Sequence, residues 1–286
     1  MSEILETLAT LSLLVFVIGS MASMGLSLKT RQIVAPLKDL RLVALALVAN
    51  FVLVPIVAYV ITRVLPLDES LEIGLILLAT AAGAPFLPKL AEVAKGSIAF
   101  AVGLMVLLMV ITIAYLPVVL PLLLPGVAVS PWDIAQSLIV LMLLPLAIGL
   151  AVNARYEEVA AKVQPTFGQA SNIAILALTV LGLVLNFDSM IGLVGSKGIL
   201  AGIIFIVTSV VIGYILGGSE SEIRSVMALG TGQRNISAAL VVAGQNFGMD
   251  EVTYLMVIAV VGLVVLMPMA GELGKRHGAS TGEAAA

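Results

Sequence analysis

Long runs without a charged residue dominate this 286-residue sequence and predict membrane-spanning helices. One helical crossing of a bilayer needs about 20 apolar residues. Seven runs satisfy this length: Thr7–Leu28, Leu42–Thr62, Gly96–Trp132, Ile134–Ala154, Val163–Phe187, Gly198–Ser219 and Val252–Gly271. The run from Gly96 is longer than one crossing, and we expect its prolines, Pro117, Pro121 and Pro125, to end the helix before Trp132.

Two further apolar stretches are interrupted, and we predict that each is a broken helix. Ile73–Pro88 runs into Lys89, and Ser225–Met249 carries Arg234 near its middle. The first contains Gly83 with two prolines, and the second contains two glycines followed by polar side chains. Proline removes a helical hydrogen bond and glycine permits unwound backbone, so each stretch predicts two half-helices joined by an irregular segment. Together with the seven runs they give nine crossings.

The positive charges are distributed as this count predicts. Cytoplasmic loops of membrane proteins are enriched in Lys and Arg. With alternating crossings, one side collects Lys29, Arg31, Lys38, Arg41, Lys95, Arg155, Lys162, Arg224, Lys275 and Arg276, and the other collects Arg63 and Lys197. We therefore predict a multi-pass protein of the cell inner (plasma) membrane with its N-terminus outside and its C-terminus in the cytoplasm. No cleavable signal peptide is expected, because Glu3 and Glu6 precede the first run.

Composition supports a membrane protein and excludes several classes of function. Hydrophobic residues make up 61% of the chain and charged residues 11%, against about 25% charged in soluble domains. The net charge of −3 leaves no basic surface for nucleic acid. The chain has no cysteine and one histidine, so it offers no thiolate or histidine metal cluster and no catalytic triad. We expect no enzyme activity and no cofactor.

The spacing of the two broken helices predicts an internal repeat. They are the third and eighth of nine crossings, five apart, and an odd number of helices makes a second copy insert upside down. Inverted repeats with paired discontinuous helices are typical of secondary transporters, whose substrate binds where the broken helices meet. We predict an all-α fold of inverted five-helix repeats lacking the first helix. One transmembrane unit spans residues 1–276, and residues 277–286 form a disordered tail.

Each predicted break carries one cation, Lys89 or Arg234. Both lie in or beside the first turn of a half-helix, where the helix dipole is already positive. A lone cation at membrane depth costs at least ~2.5–3.5 kcal/mol, and an anion between the two half-helices would relieve this cost. Two structural alternatives remain open: Lys89 pairs with Glu92 one turn later, and Arg234 bonds unwound carbonyl groups. Asn50, inside the second span, is either part of the site or forms an interhelical hydrogen bond.

The sequence resembles the bile acid:sodium symporter family over nearly its whole length. The resemblance rests on Met24–Lys29, on Asn50 before Phe51 with Pro55 beyond, on Ala94–Ser97, and on Gly232–Ala238. It implies a panel domain (about residues 5–28, 133–154 and 165–187) and a core domain (about 41–124 and 197–271), with the two broken helices crossing in the core. Members carry organic anions such as bile acids, pantoate or keto acids, coupled to sodium.

The sequence departs from the family pattern at residues that bind sodium in the family. At the first break the family has a Gly-Gly-Thr-Ala-Ser-Asn type sequence, and here Pro85, Leu87 and Pro88 stand at the Thr, Ser and Asn positions. Sodium is a hard cation that needs oxygen ligands. The side-chain oxygens of this break are therefore gone.

The second break departs in the same way. The family usually has Glu-x-Gly-x-Gln-Asn there, and here Gly230 replaces the Glu and Arg234 replaces the Gln, so that only Gly232 and Asn235 match. The polar residue of the second span is usually Gln and is Asn50 here.

We therefore predict an organic anion transporter in which Lys89 and Arg234 replace the sodium ions, so that alternating access proceeds without sodium. The predicted substrate-binding residues are Lys89, Arg234, Asn235, Pro85, Gln233, Thr231 and Asn50. A sodium-coupled symporter, with Asn50, Thr231 and Gln233 among its ligands, is the alternative. A non-transporting receptor or structural protein locked by a Lys89–Arg234–Glu92 network is another.

The partners we predict are a small organic anion and the lipid bilayer, for a monomer or weak dimer. The choice of anion and of coupling ion stays open.

Overall fold

The computed structural model describes residues 2–29, 38–124, 130–185 and 196–283, and all regular structure in these ranges is helical. We number the helices in chain order: α1 (Ser2–Ser27), α2 (Leu40–Val64), α3 (Glu69–Thr80), α4 (Leu87–Val93), α5 (Ile98–Leu123), α6 (Pro131–Arg155), α7 (Glu157–Leu185), α8 (Gly198–Leu216), α9 (Ser221–Gly232), α10 (Ile236–Asn246) and α11 (Met249–Glu283). Two of them, α2 and α6, contain a π-helical turn.

Six helices are long and apolar enough to cross a membrane, counting the described residues only. They are α2, α5, α6, α8, residues Thr7–Ser27 of α1 and residues Met249–Arg276 of α11. Each corresponds to one uninterrupted run of the sequence, and the protein is therefore a polytopic helical membrane protein. The remaining run lies mostly in α7, and its last residues, Asn186 and Phe187, fall outside the described ranges.

The last helix extends farther than the sequence predicts. Residues 277–283 of the predicted disordered tail continue α11 to Glu283, and residues 284–286 lie outside the described ranges. An ion pair between Glu272 and Arg276, one turn apart, lies just before this segment and favours helix.

Helices α1, α6 and α7, which the predicted panel comprises, pack against one another. Gly25 of α1 meets Gly149 of α6 so closely that a Cβ on Gly149 would lie 2.7 Å from the carbonyl oxygen of Ala22 and 2.9 Å from Cα of Gly25. The amide of Asn153 also donates to the carbonyl of Leu28 at 2.9 Å. Small residues thus allow the two helix backbones to touch, as in many membrane helix pairs.

The remaining helices surround two interrupted pairs, α3 with α4 and α9 with α10. Helix α8 packs along α9, α2 packs on α3 and α8, and α11 packs on α3, α8 and α10. Gly213 and Gly217 of α8 bring its backbone against α9, where a Cβ on Gly217 would lie 2.6 Å from Cα of Arg224. The interrupted pairs therefore lie inside the helical assembly. The division into panel and core domains stays a prediction.

We predict that Gly149→Leu destabilises the protein, because any side chain at this position must push α1 away from α6. Overpacking of this kind costs about 1–3 kcal/mol. Thermal unfolding in detergent should show a lower Tm than the parent protein. Gly271→Ala is the matched control, since a Cβ there meets nothing within 4 Å, and its Tm should stay the same or rise. Equal Tm values for both variants would contradict close packing of α1 on α6.

Candidate functional site

The first break separates α3 from α4 with an irregular segment that begins at Ala81. Gly83 has a φ of 81°, which side-chain-bearing residues rarely adopt, and its Cα faces the backbone of Met109 on α5 with no room for a Cβ. The hydroxyl of Thr112 accepts from the N–H of Ala82 at 2.9 Å and donates to the carbonyl of Ala82 at 3.1 Å. Helix α5 thus holds the unwound segment in place.

The second break separates α9 from α10, and Asn235 joins it to the first break. Its side-chain oxygen accepts from the N–H of Ala238 at 3.0 Å and thereby caps α10. Its backbone N–H donates to the carbonyl of Ala81 at 2.9 Å, and its side-chain amide donates to the carbonyl of Ala82 at 3.4 Å. Asn235 is completely buried. The irregular segments of the two broken helices therefore cross in direct contact.

Arg234 lies at this crossing, inside a cage of oxygen atoms. Its Nε donates to the carbonyl of Leu78 at 3.0 Å, and its Nη2 donates to the carbonyl of Ala79 at 2.7 Å. Its Nη1 donates to Oδ1 of Asn50 at 2.7 Å and to the carbonyl of Thr231 at 3.2 Å. The residue is 3% exposed. Four of the five N–H groups of the guanidinium thus bond to oxygen atoms of the described chain.

Asn50 reaches the cage from the π-helical turn Ala49–Leu53 of α2. Pro55 has no N–H to give to the carbonyl of Phe51 four residues earlier, and the hydroxyl of Tyr115 donates to that carbonyl at 2.6 Å. The amide of Asn50 donates to the carbonyl of Ala46 at 3.0 Å and to the hydroxyl of Thr231 at 3.4 Å. The proline is thus accompanied by a widened turn, and the amide in that turn bridges α2 to the second break.

The position of Arg234 corrects one sequence-based prediction. The guanidinium does not stay at the N-terminus of α10 but reaches the carbonyl groups of Leu78 and Ala79 in the last turn of α3. The carbonyl of Leu78 also accepts from the N–H of Ala81 at 3.3 Å, and carbonyl groups in the last turn of a helix lack some of their usual intrahelical partners. The crossing brings the end of one half-helix beside the start of the other, and a cation is favoured at a helix C-terminus. Arg234 thus bonds carbonyl groups, as the structural alternative expects, but those of Leu78 and Ala79 belong to the last turn of α3 and not to unwound backbone. A contact between Arg234 and a substrate stays a prediction.

The cage stabilises the charge of Arg234 without cancelling it. All four acceptors are neutral oxygen atoms, and no ion pair of Arg234 with a carboxylate occurs among the described residues. Among the residues that the structure describes, Arg234 is also the one charged residue that is buried. The crossing of the broken helices therefore holds one fixed positive charge.

Lys89 occupies a different environment. Its side chain is 57% exposed, and its Nζ lies 2.8 Å from Oε2 of Glu92, as the structural alternative for this residue predicts. Helix α4 buries Leu87, Leu90 and Ala91 on its opposite face. The two cations therefore differ in burial, since Arg234 is buried at the crossing whereas the helical register of α4 turns Lys89 away from its buried face. A contact between Lys89 and a substrate stays a prediction.

The other predicted residues divide between the cage and its surroundings. Thr231 is fully buried in the cage, and Pro85 is partly exposed in the first break. Gln233 is partly exposed and, together with Arg234, lines a cavity of about 20 Å³ between α8 and α11. A space of this size holds about one water molecule and is too small for an organic substrate.

Apolar side chains fill the space where the resemblance places sodium ligands. Leu87 and Gly230 stand at positions of a serine and a glutamate in the family pattern, and they touch across the crossing. A Cβ on Gly230 would lie 2.9 Å from Cδ2 of Leu87 and 3.3 Å from Cδ2 of Leu104. Both leucines are buried. The two departures are therefore complementary, since the methyl groups of Leu87 fit the surface that Gly230 leaves open.

The structure also identifies functional groups that sequence reasoning missed. The carbonyl groups of Leu78 and Ala79 carry no sequence signal, because every residue has a carbonyl. Thr112 does have a signal, as a polar residue within a long apolar helix. Its interaction with Ala82 depends on the packing of α5 against the break, which the sequence pattern does not reveal.

We predict that Asn50→Leu lowers the stability of the protein. The substitution removes the acceptor 2.7 Å from Nη1 of Arg234, and loss of a partner for a buried charged group costs about 1–3 kcal/mol or more. Thermal unfolding in detergent should give a Tm several degrees below that of the parent. Asn172→Leu, on the exposed face of α7, is the control and should leave the Tm nearly unchanged. A neutral Asn50→Leu variant would show that the cage does not depend on this amide.

Comparison with known proteins identifies the family. The family model described as the sodium bile acid symporter family matches residues 13–193, which is more than half of the chain and includes the first broken helix. A search of curated proteins finds no match to this sequence. The chain therefore belongs to the sodium bile acid symporter family, a family of membrane transporters.

Proposed function

We propose that this protein transports small organic anions across the cell inner membrane by alternating access, without sodium. In this proposal the guanidinium of Arg234 takes the place of a bound sodium ion. The observation that carries the proposal is the oxygen cage of Arg234, since carbonyl and amide oxygens are also the ligands that a hard cation requires. Because the guanidinium of Arg234 is part of the chain and occupies these oxygen atoms, a dissociable sodium ion is not needed there.

The charge of the cage supports an anionic substrate. Arg234 places one positive charge where two broken helices cross, in a setting where a charge is costly and its field is weakly screened. A negative solute near this point lowers the electrostatic energy of the site, whereas a cation raises it. The substrate class of the family, organic anions, agrees with this sign of charge.

The proposed architecture has nine crossings in two inverted repeats. Six long helices and α7 make seven crossings, and the interrupted pairs α3–α4 and α9–α10 make two more. Because the breaks are hydrogen-bonded to each other, the two pairs form one moving unit, and substrate access alternates by motion of this core against α1, α6 and α7.

The two half-helices after the breaks pack against different parts of the protein. Helix α10 packs against α1 and α6, while α4 packs mainly against α5, α9 and α11. A Cβ on Gly244 of α10 would lie 2.6 Å from Cδ2 of Leu13 of α1. With the N-terminus outside, α10 lies in the outer half of the membrane and α4 in the inner half. A cavity of about 420 Å³ also lies in that outer half, between α1, α6 and α10, and its lining includes Leu14, Gln136 and Asn246.

The alternatives are less well supported. For the sodium-coupled symporter, Oδ1 of Asn50 and the carbonyl of Thr231 are already occupied by the guanidinium. For the locked structural protein, Lys89 pairs with Glu92, but Arg234 does not join that pair and bonds four oxygen atoms elsewhere.

We predict that Arg234→Gln weakens anion binding much more than Lys89→Gln does. Both variants remove one positive charge near a break, but the charge of Lys89 is already offset by Glu92. Binding of taurocholate, pantoate and 2-ketoisovalerate, measured by thermal shift and by equilibrium dialysis, should weaken at least tenfold in Arg234→Gln, a change of about 1.4 kcal/mol. For Lys89→Gln we expect a change of a few-fold.

A second variant distinguishes loss of the positive charge from misfolding of Arg234→Gln. Asn50→Asp keeps an acceptor for Nη1 of Arg234 but adds a negative charge that neutralises the cage. It should fold and lose anion binding. Unchanged anion affinity in Arg234→Gln and Asn50→Asp together would overturn the proposal.

We also predict that sodium does not change anion binding, because Arg234 already fills the oxygen cage. The affinity for each of the three anions and the Tm of the purified protein should be the same in NaCl and in KCl at equal ionic strength. A rise in affinity or Tm specific to sodium would favour the sodium-coupled alternative, with Asn50, Thr231 and Gln233 as its ligands.

A further inference from the structure

The cation at the crossing is part of the protein, and this changes the energetics of transport. A symporter that binds sodium releases the ion on the other side of the membrane, and the sodium gradient thereby drives its substrate. Arg234 cannot be released, and its guanidinium is held by carbonyl groups of α3 and α9 and by Asn50 of α2. The charge therefore returns with the carrier in every cycle.

The return of Arg234 with the carrier determines the net charge that crosses the membrane in one transport cycle. Movement of Arg234 in the outward step is reversed in the return step, so its contribution cancels over a complete cycle. The charge that remains displaced is that of the substrate. For a monovalent anion, one negative charge crosses the membrane in each cycle, without a compensating cation.

The rest of the described crossing offers no second carrier of charge. Arg234 is the one charged residue that is buried in the described ranges. Next to it in the crossing, the side chains of Leu87 and Leu104 pack against Gly230 and leave no charged group there. The titratable groups nearest to the first break in sequence, Lys89 and Glu92, are both more than half exposed and neutralise each other. The packing therefore favours movement of the anion alone.

We infer that this carrier is an electrogenic anion uniporter whose direction is set by the membrane potential. A potential that is negative inside pushes negative charge out of the cell, and 100 mV corresponds to a gradient of about fifty-fold for a monovalent anion. In a cell of this polarity the protein releases organic anions. The inference rests on the proposed function and adds its driving force and direction.

The sign of the transport current tests this inference. The full-length protein is reconstituted in liposomes, and the flux and the current are recorded after concentration jumps of taurocholate, pantoate and 2-ketoisovalerate, in NaCl and in KCl. We expect a current that carries negative charge in the direction of the anion, with the same size in both salts. Under a potassium diffusion potential of 100 mV, set with valinomycin, the transported anion should approach a fifty-fold excess on the positive side.

Several outcomes would overturn the inference while leaving anion transport intact. A sodium-dependent current of opposite sign would show that more than one sodium ion accompanies the anion. Flux without current would show one cation for each anion, which is sodium if the flux occurs only in NaCl and a proton if it occurs equally in KCl. Flux only against a second anion on the far side would show obligatory exchange. Absence of flux for all three anions in both salts would instead contradict the proposed function, and the inference would fall with it.

Variants of Arg234 separate its charge from its structural role. Arg234→Lys keeps a fixed charge with fewer donors and should retain the sign and the potential dependence of the current at a lower rate. Arg234→Gln should lose the flux. Lys162→Gln, which removes an exposed positive charge on α7, is the control and should behave as the parent. Equal flux and equal current in Arg234→Gln and the parent would show that the tethered charge has no part in transport.

Discussion

The structure depends on one constraint, which is that a helix broken inside a bilayer must find partners for its free carbonyl groups. Hydrocarbon supplies none, and each unsatisfied group costs several kcal/mol. In this protein several of the donors come from the other broken helix, because Arg234 donates to the carbonyl groups of Leu78 and Ala79, and Asn235 donates to those of Ala81 and Ala82. Thr112 of α5 also donates to the carbonyl of Ala82. The second break therefore supplies hydrogen-bond donors to the carbonyl groups of the first.

This need for donors explains why a buried arginine is tolerated. A guanidinium has five donors in a fixed plane and stays protonated, so it can bond several carbonyl groups at once where a lysine or an amide could not. Asn50 completes the arrangement from α2, and the proline-associated π turn brings its amide to the cage. The same bonds that stabilise the fold hold a positive charge at the centre of the proposed transport path. The guanidinium of Arg234 and its four oxygen acceptors thus stabilise the fold and also provide the charge that the proposed function requires.

The apolar contact between Leu87 and Gly230 complements the arginine. The resemblance places oxygen ligands for sodium at both positions, and in this chain one has become a leucine and the other has lost its side chain. Either change alone would leave a bulky side chain without space or an oxygen ligand without its partner. Together they pack, and this fits our proposal that Arg234 is the permanent cation of the site.

The sequence by itself determined the membrane class, the location of the two breaks, and the family. Those properties depend on composition, on the length of apolar runs and, at the first break, on Gly83 and Pro85, which act locally. Gly230 and Gly232 instead lie within α9, and each allows close approach of a side chain from another helix. Tertiary structure alone decided where the charges go: Arg234 extends to the end of α3, and Lys89 faces outward to Glu92. A sequence gives the position of a residue along its helix, but the direction of its side chain and its partner carbonyl depend on how two half-helices cross.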